Sequence, residues 1–165
     1  MKETAIFYGS TSGNCEGIAN KIAEALGVSN VFSASELDAA KIAAYENLLF
    51  GSSTWGSGDL QDEWYDGVEV IKSSDLSGKT VAVFGCGDSS GFSTTYCDAI
   101  GQLYEAAKAA GANIVGAVST DGYTFDESSA VVDGKFVGLA LDEDNESDKT
   151  DGRIAAWVEE IKPLL

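Results

Sequence analysis

An open α/β fold is the architecture the sequence predicts: a three-layer sandwich around a five-stranded parallel sheet in the order 2-1-3-4-5. Short apolar runs alternate with segments whose apolar residues recur at helical spacing, which implies βαβ units and a parallel sheet covered on both faces. Three of the runs end in loops of small and polar residues, as expected where strand ends frame a ligand at the switch point between strands 1 and 3. One domain is expected over residues 1–165, because this length supports a substantial core and a single proline argues against long disordered linkers.

TAIFY (4–8) reads as a buried first strand. NCEGIANKIAEALG (14–27) sets Ile18, Ile22, Ala25 and Leu26 on one helical face and stops at Gly27. NVFSA (30–34) is a weaker strand, LDAAKIAAY (37–45) a short helix, and NLLFGSSTW (47–55) a strand running into a loop. QDEWYDGVEVI (61–71) has helical spacing despite Gly67. KTVAVFGCG (79–87) is a strand, TTYCDAIGQLYEAAKAAGA (94–112) a helix, and NIVGAVS (113–119) the fifth strand. KTDGRIAAWVEEIKPLL (149–165) closes the chain with a helix whose apolar face is Ile154, Trp157, Val158 and Ile161. Residues 119–148 exceed a plain βαβ unit. Their turn-like glycines and the strand-like KFVGLAL (135–141) read as an excursion that splits or extends strand 5. The acidic DEDNESDKTD (142–151) reads as a solvated loop.

Ten basic against 27 acidic residues argue against nucleic acid or an anionic membrane and favour basic protein partners, although solubility alone also explains such acidity. The absence of histidine excludes His-based catalysis and His-ligated metals. Cys15, Cys86 and Cys97 lack C-x-x-C or metal spacing, so neither a disulfide framework nor a zinc site is expected. No stretch approaches the roughly 18 apolar residues of a membrane span, and MKETAIFYGS lacks the apolar core of a signal peptide; a cytoplasmic, monomeric protein is expected.

The first loop carries Ser10, Thr11, Ser12, Gly13 and Asn14 at a helix start. Hydroxyls, free backbone N–H groups and the helix dipole make an anion site there, and a phosphomonoester suits it. No lysine follows Gly13 and no G-x-G-x-x-G occurs in the loop, which argues against nucleotide hydrolysis and dinucleotide binding. An ordinary Ser-capped helix is the plainer alternative. In the second loop Trp55 stands among Ser53, Thr54, Gly56, Ser57 and Gly58. It would cover a flat ring or pack against a partner. In the third, GCGDSSG is followed by Phe92, Tyr96 and Cys97; its N–H groups could bond a ring carbonyl and an aromatic could cover a second face.

These stretches resemble flavodoxins, and of the long-chain type. The carriers are IFYGSTSGNCEGIA, GSSTWGSGDLQDEW, VAVFGCGDSSGFSTTYCDAIG and STDGYTFDESSAVVDGKFVGLALDEDNESDKTDGRI, which span essentially the whole chain. The resemblance implies a flavodoxin-like three-layer sandwich with non-covalent FMN, shuttling single electrons at low potential between a reductase and acceptor redox proteins. Ser10, Thr11, Ser12, Gly13, Asn14 and Cys15 would hold the phosphate. Thr54, Trp55, Gly56 and Ser57, with Ser53, would cover one flavin face. Cys86, Gly87, Asp88 and Phe92, with Tyr96 and Cys97 at the loop's end, would form the opposite wall. Asp144 would lie near the ribityl chain. Cys15 stands where the family carries threonine or serine, and Phe92 where tyrosine is usual; a thiol is the weaker donor and phenylalanine lacks the hydroxyl. A peptide flip after Trp55, made cheap by Gly56, would let a carbonyl accept the N5–H of the half-reduced flavin. The alternative function is an FMN-dependent reductase acting on a small quinone-like substrate. A receiver domain of the same sheet order would need acidic residues where YGST and GSSTW stand.

Overall fold

The computed structural model describes residues 2–11, 13–55 and 58–165. The chain runs through β1 (Thr4–Gly9), α1 (Asn14–Leu26), β2 (Val31–Ser33), α2 (Ala39–Ala44), β3 (Asn47–Trp55), β4 (Asp59–Leu60), α3 (Trp64–Lys72), β5 (Thr80–Cys86), α4 (Asp98–Ala109) and β6 (Asn113–Val115). It continues through β7 (Val118–Ser119), β8 (Val131–Val132), β9 (Lys135–Phe136), β10 (Leu139–Leu141) and α5 (Ser147–Ile161).

The main sheet has the path β2-β1-β3-β5, with parallel pairing throughout, and two strands share its fifth position. β6 pairs the beginning of β5, with Thr80 opposite Asn113, and β10 pairs its end, with Cys86 opposite Leu141. Counted as one interrupted strand they complete the order 2-1-3-4-5. The strands are apolar on both faces because helices cover both. Ala5, Phe7, Leu48, Phe50, Val81 and Val83 pack with Trp64, Val68, Ile71, Ile100 and Leu103 of α3 and α4. Ile6, Leu49, Ala82 and Phe84 pack with Ile18, Ile22 and Leu26 of α1 and with Ile154, Trp157 and Ile161 of α5.

The interruption refines the expected elements. The fifth strand ends at Val115 instead of residue 119, and residues 116–138 carry a small antiparallel sheet in the order β7-β9-β8. KFVGLAL is therefore two strands in two sheets, with Lys135–Phe136 in the excursion and Leu139–Leu141 beside β5. Gly138 stands between them, where a Cβ would lie 2.0 Å from the Val83 carbonyl oxygen. The excursion is anchored by an aromatic cluster in which Tyr96 stacks on Phe125 at 5.5 Å and meets Phe136 edge-on at 5.9 Å. This contact also moves the start of α4. Tyr96 N–H donates to Glu127 O at 3.2 Å, Cys97 takes a φ of 54°, and the helix begins at Asp98 instead of residue 94.

Among the described residues no helix is long and apolar enough to cross a membrane. Two glycine substitutions should have opposite signs. Gly138→Ala, with backbone in the way, is expected to lower stability by about 1–3 kcal/mol. Gly17→Ala on the exposed face of α1, where a Cβ meets nothing within 4 Å, is expected to raise it by about 0.4–1 kcal/mol. Urea unfolding midpoints measure both.

Candidate functional site

The loops after β1, β3 and β5 meet at the carboxyl edge of the sheet, as the strand order requires. They are aligned by register: Gly9 lies opposite Ser52, Ser52 opposite Gly85, and Gly85 opposite Ala140. One residue further along, Ser53, Cys86 and Leu141 form the next row. Beyond these rows opens a cavity of about 350 Å³ lined by Asn14, Ser53, Thr54, Trp55, Cys86, Gly87, Asp88, Phe92, Glu143 and Asp144.

At one end stands the turn into α1. Gly13 has a φ of 91°, and among the described residues the helix has no side-chain cap. Among the described residues no Ser or Asp cap supplies an acceptor to the first-turn N–H groups. Ser10 Oγ accepts the Gly13 N–H at 3.0 Å, and Thr11 Oγ1 accepts Gln61 Nε2 at 3.1 Å. Cys15 is fully buried. The neighbouring Cys86 thiol first, then burial, push its thiol well above the usual value. The side chain at this position faces the core, so its contribution to an anion site is the backbone N–H. Ser12 lies outside the described residues.

The second loop holds Trp55, 43 % exposed. Its indole Nε1–H donates to Ser53 Oγ at 2.8 Å, which orients the ring on the cavity wall. Thr54 Oγ1 accepts the Ala99 N–H at 3.1 Å and ties the loop to α4. Gly56 and Ser57, with the expected peptide flip, lie outside the described residues. On the third loop Phe92 is 50 % exposed and forms part of the same lining. Asp88 organises this loop: Oδ1 accepts the N–H groups of Ser90 at 3.1 Å and Gly91 at 2.7 Å, and Asn145 Nδ2 at 2.8 Å. Tyr96 and Cys97 do not line the cavity. Both are fully buried behind the third loop, Tyr96 in the aromatic cluster and Cys97 with its thiol 3.7 Å from Leu141 O.

A fourth segment completes the site. Asp142 is fully buried; Oδ2 accepts the Ser89 N–H at 3.1 Å and the Ser89 hydroxyl, and Oδ1 accepts the Asn145 N–H at 2.9 Å. This carboxylate joins the third loop to the segment after β10 and brings Glu143 and Asp144 to the cavity. Glu143 belongs to the acidic cluster read as a solvated loop; its adjacency to Asp144 was the available signal. Among the described residues the lining holds three carboxylates and no Lys or Arg. Burial first, then repulsion from Asp88, Asp142 and Glu143, holds the Asp144 carboxyl above the ordinary carboxylate range. The Gly91 N–H first, then the Asn145 amide, hold Asp88 below it. Negative charge in this cavity is opposed at the acidic rim and accommodated at the neutral, N–H-rich end. No group of His, Cys, Asp or Glu among the described residues is arranged to hold a metal ion.

The chain matches the protein family described as Flavodoxin over residues 6–157. It is 45 % identical to "Flavodoxin 1" of Azotobacter vinelandii over 164 residues, covering 96 % of this chain and 94 % of that protein. It is 41 % identical to "Flavodoxin" of Helicobacter pylori over 162 residues, covering 98 % of each. Among solved structures, the flavodoxin of Fusobacterium nucleatum bound to flavin mononucleotide superposes with a TM-score of 0.94 at 33 % identity, covering 100 % of this chain and 99 % of that one.

The two perturbed carboxyls give opposite pH dependences. Asp88, lowered in the folded state, contributes stability above its unfolded value of about 3.9 that is lost as pH falls through the lower folded value. Asp144, raised, contributes stability below the unfolded value that is lost as pH rises through the folded one. The stability difference between the parent protein and Asp88→Asn is therefore expected to shrink on acidification below about pH 4. For Asp144→Asn, the parent should lose stability relative to the variant as pH rises above about 4, from the unfolded value through the higher folded one. Urea midpoints against pH read both.

Proposed function

Because this chain belongs to the flavodoxin family, we propose that it carries single electrons at low potential on an FMN held non-covalently in this cavity. It would act as a single-domain, monomeric cytoplasmic protein between a reductase and acceptor redox proteins. The observation that carries the reading is the composition of one cavity: a neutral donor end, two half-exposed aromatic walls and an acidic rim without a cation.

The residues fit the cofactor by their chemistry. The cavity volume falls in the range of small-molecule sites. Ser10 and Thr11 each use a lone pair on a protein donor, so each keeps its proton for an acceptor outside. With Ser12, the Gly13 turn and the Asn14 and Cys15 N–H groups, they would hold the phosphate. Trp55 and Phe92 would enclose the ring between loops that also carry Ser53, Thr54, Gly56, Ser57, Cys86, Gly87 and Asp88. FMN supplies the redox chemistry when bound, and the protein binds it, tunes it and leaves an edge accessible.

Asp88, Glu143 and Asp144 set the electrostatics. A carboxylate about 10 Å away, at an effective dielectric near 20, opposes an added negative charge by about 1.7 kcal/mol. For one electron that is about 70 mV, and salt screens the exposed part. The same acidity suits docking of basic-surfaced partners in fast, weak encounters.

An anaerobic reductive titration of the FMN-loaded protein tests the reading. Two separated one-electron steps with an intermediate flavin radical detected by electron paramagnetic resonance are expected. Passage in one two-electron step, together with NAD(P)H-driven quinone turnover, would instead establish the reductase. Asp144→Asn and Glu143→Gln are each expected to raise the lower potential by some tens of millivolts at low salt, and by less at high salt.

A further inference from the structure

Gln61 is 4 % exposed and lies between β4 and α3, outside the three loops that a phosphate-binding pattern singles out. Among the described residues its side chain makes two hydrogen bonds. Oε1 accepts the Glu63 N–H at 2.9 Å, and Nε2 donates to Thr11 Oγ1 at 3.1 Å. Its own N–H donates to Ser52 Oγ at 3.1 Å, which fixes the residue to the end of β3. Gly9 leaves it room, since a Cβ there would lie 2.5 Å from Gln61 Oε1.

The first contact fixes the sense of the second. A backbone N–H can only donate, so the amide oxygen must face Glu63 and the NH₂ must face Thr11. The NH₂ in turn can only donate, so Thr11 Oγ1 is an acceptor in that contact. The Thr11 hydroxyl has one proton, and that proton is directed away from Gln61.

We infer that Gln61 is a positioning residue for the anion site, holding the Thr11 hydroxyl as a proton donor to a phosphate monoester at the start of α1. This rests on the FMN reading, because the phosphate is the group such a donor serves. An exposed loop threonine without this partner would donate to and accept from water alike, and binding would bear the cost of ordering it. Gln61 moves that ordering into the fold. A hydrogen bond to a charged acceptor is stronger than one between neutral groups, so its orientation matters most when the ligand carries the phosphate.

The test compares two ligands on the apoprotein, FMN and riboflavin, which differ by the phosphate, by quenching of flavin fluorescence. Gln61→Met removes the amide at similar volume. Gln61→Glu keeps an oxygen for the Glu63 N–H but accepts the Thr11 proton and adds a negative charge. Both are expected to weaken FMN by about tenfold or more and riboflavin by less than about twofold, with Gln61→Glu the larger. In a Thr11→Val background, Gln61→Met should add no further loss of FMN affinity. Equal losses of FMN and riboflavin, or an undiminished FMN loss in the Thr11→Val background, would overturn the role and assign Gln61 to folding alone. If the parent protein bound riboflavin as tightly as FMN, the phosphate reading itself would fail, and this inference with it. Should Gln61→Met not fold, the neutral Gln61→Leu in the parent and Thr11→Val backgrounds carries the same comparison.

Discussion

The register of the central strands is the constraint on which the site depends. Gly9, Ser52, Gly85 and Ala140 form one row across the carboxyl edge, and every residue that lines the cavity follows from where the chain goes after that row. A slip by one residue in a strand buried on both sides would exchange its two faces, sending Phe7 and Phe50 toward α1 and α5 and Ile6 and Leu49 toward α3 and α4. The cores on the two faces differ in volume and shape, so packing holds the register and the register holds the loops. The precision of the carboxyl edge is a by-product of core packing.

In a chain with 27 acidic residues, the proposed phosphate site at the start of α1 is made of uncharged groups. The structure separates two electrostatic tasks. Hydroxyls and N–H groups at the start of α1 can satisfy a phosphate by hydrogen bonding and the helix dipole without placing a cation near the ring. Carboxylates from two other segments, Asp88 and the Glu143–Asp144 pair, line the same cavity. A lysine in the phosphate loop would bind the anion more strongly, but it would also favour an added electron nearby. In the proposed function, a neutral loop would let binding and potential be set by different residues.

The excursion between β6 and β10 has a structural consequence for the site. It interrupts the fifth strand and returns the chain so that Leu141 lies opposite Cys86 and the buried Asp142 reaches Ser89. The aromatic cluster of Tyr96, Tyr123, Phe125 and Phe136 fastens it to the start of α4. Tyr96 and Cys97, adjacent in sequence to a wall of the cavity, are thereby drawn into the core, which proximity along the chain could not reveal.

Periodicity and loop chemistry by themselves determined the layer order, the principal helices and strands, and the three loops that meet. These are local properties: spacing of apolar residues, the stop at Gly27, hydroxyls at a helix start. Only the tertiary structure decided which side chains on those loops turn inward, as Cys15 does, and which distant residues join them. Gln61 reaches Thr11 across 50 positions, and Asp142 reaches Ser89 across 53. A glutamine and an aspartate in polar stretches carry no local mark of such contacts. Their hydrogen bonds exist only once the sheet register has brought the partners within reach and burial has removed the water that would otherwise satisfy them.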